Sequence, residues 1–220
     1  MTIARSIDHT LLKPDATREE ILKLCAEARE FGFFSVCVNS SRVATAAEAL
    51  SGSGVAVAAV TGFPMGAMSS EAKAFETKLA VAAGASEIDT VIAVGQLKDG
   101  NLEYVLADLR GVVAAAGEAR VKVIFETCLL SESEKITACR LSVEAGAAFV
   151  KTSTGFSSGG ATVEDVKLMA AAVAGRCEVK ASGGIRDLES AKIMLAAGAT
   201  RLGTSNGVKI VTGEKATEGY

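Results

Sequence analysis

Five glycines in this 220-residue chain stand five positions before the last residue of a short apolar run. Gly32 leads to Cys37, Gly84 to Asp89, Gly146 to Lys151, Gly175 to Lys180 and Gly198 to Gly203. Three of the five lie in the same tripeptide, Ala-Gly-Ala. A glycine that closes a helix in the left-handed conformation, followed by a brief buried strand, is the chemistry of an αβ junction. Repeated along a chain, that junction commits it to helices alternating with parallel strands. It also predicts that Cys37, Asp89, Lys151 and Lys180 lie near the carboxyl ends of strands, where α/β folds keep their active sites. Two lysines and an aspartate in apolar strands form a costly arrangement unless chemistry uses them.

Strands are expected to start near Ser6, Ser35, Val55, Glu87, Val121, Phe149, Glu178 and Arg201, at intervals of 20 to 34 residues. Each interval suits one strand, loop and helix. Helix starts are legible between them. Thr17 with Glu20, Ser131 with Glu134 and Thr162 with Asp165 read as capping boxes. Val163, Val166, Met169 and Val173 form the stripe of a helix lying on a sheet, and 71–83 and 101–116 are rich in helix formers. Hydrophobic residues make up 49% of the chain but aromatics only 5%, so Ala, Val, Ile and Leu must build the core. Eight such units predict a (β/α)₈ barrel in one domain, 1–220, ending in a polar tail at about 212–220 expected to be disordered. A doubly wound open sheet is the alternative. The barrel is favoured because candidate functional residues end strands over the whole chain, not around one switch point.

Composition removes several function classes. A net charge of −3 gives no footprint for nucleic acid or an anionic membrane, and no apolar stretch approaches a membrane span. The first residues lack the apolar core of a secretion signal. Five cysteines without CxxC spacing read as reduced thiols of a cytoplasmic protein. A single histidine, His9, leaves no His-rich metal site and would have to serve any Ser-His-Asp triad, and no GxGxxG or P-loop pattern occurs.

The chemistry rests first on Lys151 and Lys180, in consecutive units. Neighbouring strands lie about 4.8 Å apart, so two amines entering one pocket would crowd each other. Repulsion and burial both lower a lysine pKa, and a neutral amine attacks carbonyl carbon to form a Schiff base. The competing reading makes one lysine part of a structural ion pair with Asp89 or Glu126. Beside an amine and a carbonyl, Asp89 can also move protons. Glu126 ends another strand, but its distance from Gly117 breaks the repeat and charge compensation explains it equally well. Glycine-rich loops follow both lysines and the last strand, carrying Gly155, Gly183 with Gly184, and Gly203 with Ser205 and Asn206. Backbone N–H groups and hydroxyls in such loops hold phosphate in barrels. Arg186 would add charge there or serve a solvated helix start. Cys37 reads as pocket wall, His9 as a hydrogen-bonded core residue, and 61–66 as a rigid loop at the mouth.

Eight segments carry a family resemblance: DHTLLKPDAT at 8–17, VCVN at 36–39, GFPMGA at 62–67, EIDTVI at 87–92, FETCLL at 125–130, FVKTSTGF at 149–156, VKASGGIR at 179–186 and GTSNG at 203–207. Together they resemble the deoxyribose-phosphate aldolase family of Schiff-base aldolases. The resemblance implies a TIM barrel that reversibly cleaves 2-deoxy-D-ribose 5-phosphate to acetaldehyde and D-glyceraldehyde 3-phosphate, with no metal and no organic cofactor. Lys151 matches the Schiff-base lysine, and Asp89 with Lys180 the proton-transfer pair. Gly155, Gly183, Gly184, Gly203 and Ser205 fall on the phosphate-binding loops. Tyr220 matches a terminal tyrosine by position only. Ala93 stands where many members have Asn, and Met65 replaces a common Leu, so altered polar support or packing is expected there. A phosphosugar is the expected partner, with no nucleic acid and no membrane; alanine-rich helix surfaces would allow a homodimer or homotetramer. The rival readings are a non-covalent phosphosugar isomerase or epimerase and a non-catalytic sugar-phosphate-binding barrel.

Overall fold

Local sequence makes each unit, and pairing between the first and last strands makes the whole. The computed structural model describes residues 2–214. In chain order its main elements are β1 Ile7–Leu11, α1 Arg18–Phe31, β2 Ser35–Asn39, α2 Val43–Ala49, β3 Ala56–Thr61, α3 Ser70–Ala82 and β4 Glu87–Val91. There follow α4 Val94–Lys98, α5 Leu102–Ala116, β5 Arg120–Ile124, α6 Glu132–Glu144, β6 Phe149–Lys151 and α7 Val163–Val173. The last unit comprises β7 Glu178–Ser182, α8 Leu188–Ala196, β8 Arg201–Thr204 and α9 Gly207–Thr212. All eight strands are parallel and pair in sequence order, and β1 pairs β8, with Asp8 opposite Gly203. The barrel is therefore closed, and the open-sheet alternative falls.

The caps explain where helices begin and end. Thr17–Glu20 and Ser131–Glu134 are reciprocal capping boxes. Thr162 accepts from the Asp165 N–H without the return bond, so that expected box is half-made. A box at Asp187–Ser190 starts α8 and was not among the expected starts. Gly32, Gly84, Gly146 and Gly198 hold φ of 66°, 111°, 85° and 116°, the left-handed exits the repeat requires.

One expectation needs correction. Lys151 ends its strand, but Cys37, Asp89 and Lys180 are each the third residue of five. Pairing continues two residues beyond them, so they point into the barrel below its mouth. Side chains alternate across the pleat. Val36, Ile88, Val121, Val150, Val179 and Leu202 join the apolar layer under the helices, while their neighbours face inward. The interior is divided: Leu12, Cys37, Ala58 and Val60 form an apolar cluster with Phe63 on one side, and ionic groups fill the other. Of the expected tail, 212–214 is described, with Thr212 ending α9; 215–220, including Tyr220, lies outside the described residues.

Candidate active site

Lys151 and Lys180 are direct register partners across β6 and β7, and both donate to the same oxygen. Asp89 Oδ2 accepts from Lys151 Nζ at 2.8 Å and from Lys180 Nζ at 2.7 Å. Its other oxygen accepts from Lys122 Nζ at 2.7 Å. Lys180 also reaches Asp8 Oδ2 at 2.5 Å, Lys122 reaches Glu87 at 2.7 Å, and Arg201 bridges Asp8 at 2.8 Å and Glu87 at 2.9 Å. The seven side chains are buried. Four are cations and three are carboxylates. An unmatched charge in such a place is expensive, so the network balances when one amine is neutral.

Which amine gives up its proton most readily follows from the partners. Lys180 has two carboxylates, Lys122 has Asp89 and Glu87 close by, and Arg201 has two. Among the described residues Lys151 has only Asp89, which it shares with both other lysines. Burial lowers the Lys151 pKa, and Lys180 adds to the effect against the pull of Asp89, leaving it below the ordinary lysine value. Burial acts on Lys180 in the same sense, but Asp8 and Asp89 outweigh it and raise that pKa. For Asp89 the desolvation penalty is overcome by Lys122, Lys151 and Lys180, which hold it as a carboxylate well below the usual range. Two crowded lysines are thus driven apart in pKa by an unequal share of carboxylates.

Lys151 lines a cleft together with Gly155, Gly183, Gly184, Gly203, Ser205 and Arg186. Asp89 and Lys180 lie beneath it, fully buried. Gly183 and Gly184 hold φ of 85° and 81° in succession, a left-handed pair that glycine adopts without strain. The loop after Lys151 is tied to the end of β7: Thr152 Oγ1 donates to Ser182 O at 3.0 Å, and Ser182 Oγ donates to Ser153 O at 2.5 Å. Gly203 has a steric role besides. A Cβ there would stand 3.0 Å from Lys180 Cε and 2.9 Å from Ser182 Cβ, so its bare backbone is the space in which the Lys180 chain lies.

Asp8, Glu87, Lys122 and Arg201 complete the ionic cluster and were not among the expected site residues. For Lys122 the signal was present: Gly117 stands five residues before it, in GEARVK, matching GAAFVK and GRCEVK. Asp8 follows no such glycine, and only closure of the barrel brings it to Lys180. Of the minor candidates, Cys37 is interior wall, its thiol pushed up to about 11 by burial. His9 faces outward, its Nε2 2.7 Å from Glu27. The 61–66 loop is braced by the Gly62 N–H on Glu76 at 2.9 Å, and Phe63 meets Phe156 edge to face. Met65 is 75% exposed, so core packing does not register its identity. Ala93 is the N-cap residue of α4 and offers it no side-chain acceptor. Among the described residues no group of three His, Cys, Asp or Glu is arranged to hold a metal ion, and no helix is long and apolar enough to cross a membrane.

A closed parallel barrel with a lysine on the wall of a glycine-lined cleft has the build of an aldolase. The chain belongs to the DeoC/LacD aldolase family, whose model matches residues 2–213. It is similar to the deoxyribose-phosphate aldolase of Geobacillus sp., with 60% identity over 99% of this chain and 98% of that one. It is 59% identical to the deoxyribose-phosphate aldolase of Bdellovibrio bacteriovorus over the full length of both. Among solved structures, the tetrameric deoxyribose phosphate aldolase from Aeropyrum pernix superposes with a TM-score of 0.89 at 34% identity, covering 96% of this chain and 89% of that one.

Proposed function

We propose that this chain reversibly cleaves 2-deoxy-D-ribose 5-phosphate to acetaldehyde and D-glyceraldehyde 3-phosphate through a Schiff base on Lys151. The observation that carries the reading is the unequal partnering of the two register-paired lysines, which leaves Lys151 as the amine with a lowered pKa. Neutral Lys151 adds to the substrate C1 aldehyde. Lys180, held as an ammonium, supplies a proton to the departing carbinolamine hydroxyl, and loss of water gives a protonated imine. Asp89, held as a carboxylate, accepts the C3 hydroxyl proton directly or through water. The C2–C3 electron pair moves into an enamine, and glyceraldehyde 3-phosphate leaves. A proton returned to C2 and hydrolysis of the imine release acetaldehyde and regenerate the amine.

The phosphate belongs, in this reading, at the far wall of the cleft, against the loops of Gly155, Gly183, Gly184, Gly203 and Ser205. Successive left-handed glycines turn backbone N–H groups toward an anion. No organic cofactor enters any step. Five free cysteines support a cytoplasmic setting. Assembly into a homo-oligomer is part of the proposal, supported by the tetrameric relative.

Borohydride reduction in the presence of acetaldehyde, followed by peptide mass spectrometry, tests the covalent step. An adduct on Lys151 is expected. Its absence, with turnover retained, would overturn the mechanism in favour of a non-covalent reaction.

A further inference from the structure

Glu126 follows β5 with φ 56° and ψ 63°, a left-handed backbone that a residue with a Cβ adopts only under constraint. It is buried, and none of the ion pairs among the described residues includes it. Its carboxylate is spent instead on the loop that follows Lys151. Oε1 accepts the Thr154 N–H at 3.2 Å, and Oε2 accepts the Thr154 hydroxyl. Thr154 Oγ1 in turn accepts the Phe156 N–H at 3.0 Å. Beside these, the Thr127 N–H donates to Thr152 O at 3.0 Å. A carboxylate can only accept, so the hydroxyl must donate to it and present its lone pairs to Phe156. The amides on both sides of Gly155 are thereby committed, and the peptide carrying the Gly155 N–H is set between them, four residues past Lys151 on the wall of the cleft.

We propose that Glu126 is a positioning residue for the aldolase reaction: acting through Thr154, it fixes the Gly155 peptide against the substrate phosphate. The proposal rests on the reading that the Gly155 loop binds phosphate. Strain at Glu126 is consistent with this use, since a backbone is held in a sparse region where the surroundings require it. Three of these bonds join the strand ends of β5 and β6 and the fourth lies within the loop, so the carboxylate acts on the loop and not on the Lys151 amine.

The test compares 2-deoxyribose 5-phosphate with unphosphorylated 2-deoxyribose in Glu126→Gln, Thr154→Val, Thr154→Ser and the Glu126→Gln/Thr154→Val double variant. An amide at 126 presents an N–H where an acceptor is needed. Glu126→Gln and Thr154→Val are each expected to raise KM for the phosphorylated sugar roughly tenfold with kcat little changed. The unphosphorylated sugar should change less than about twofold, and Thr154→Ser, which keeps the hydroxyl, should behave as wild type. The double variant should be no worse than Thr154→Val alone. Should Glu126→Gln fail to fold, the Thr154 pair carries the same comparison. Equal losses on both sugars, additive losses in the double variant or a displaced pH profile would overturn the role. If wild type shows no preference for the phosphorylated sugar, the phosphate reading falls and this role with it. If wild type shows the preference and the variants do not lose it, only the role of Glu126 falls.

Discussion

Two parts of the molecule bury lysine completely, and they do so to opposite effect. In the helical layer, Lys73 of α3 meets Asp108 of α5 at 2.6 Å and donates to Val91 O at 2.8 Å. One ammonium has one carboxylate and a carbonyl, and the arrangement ties two helices to the end of β4. Inside the barrel, three lysines and an arginine compete for three carboxylates. Both sites are buried, so burial by itself does not distinguish them. Competition for the counter-charge does, and Lys151, with the smallest share of it, is the lysine that opens on the cleft.

The largest test of that contrast is Lys151→Ala, which should abolish turnover while circular dichroism and the melting transition remain those of a folded barrel; comparable turnover would refute the assignment. Next, Lys180→Leu should lower kcat by about 10²–10⁴, the range of a lost proton-transfer group. Its pH dependence carries a sign. Lys151 reacts only when neutral, so activity rises as pH rises through its pKa, and the lowered value puts that limb below the ~10.4 of a free lysine. Removing Lys180 relieves repulsion and leaves Asp89 with fewer claimants. The limb for acetaldehyde adduct formation should therefore move to higher pH, and an unmoved limb would show that repulsion has no part.

The helical pair should answer differently. Lys73→Met is expected to cost about 3–5 kcal/mol in urea unfolding, because Asp108 is left buried and unpaired, with kcat kept. Replacing both, as Lys73→Met with Asp108→Leu, should return most of that stability. A loss of kcat without a loss of stability would erase the distinction between the two regions. The smallest effect is expected for Gly203→Ala, whose new Cβ would push Lys180 by a few tenths of an ångström. A fall in kcat of roughly tenfold is expected, by the steep dependence of rate on placement, and unchanged kinetics would show that Lys180 has slack.

Much of this was legible one unit at a time. Strand starts near Ser35, Glu87, Phe149, Glu178 and Arg201 are where the strands begin, because glycine exits and apolar runs are local signals. Asp89, Lys151 and Lys180 were legible because a charge in an apolar strand is conspicuous. Lys122 carries the same mark after Gly117, while Glu126, four residues further on, carries a charge without that glycine spacing. Glu126 was read as a counter-charge; the structure spends it on Thr154, a contact between two strand ends that no spacing in the chain encodes.

The order of helices and strands, the junctions between them and the buried charges that needed a reason are written in the chain itself. Those features depend on neighbours within a few residues, through backbone conformation and hydrophobic period. Tertiary structure alone decided the sharing of counter-charge. Closure of β8 onto β1 sets Asp8 beside Lys180, 172 residues away, and parallel register sets Lys151 against that same lysine. A pKa is a sum over everything within a few ångströms, so which lysine loses its proton most readily is settled only when the barrel closes.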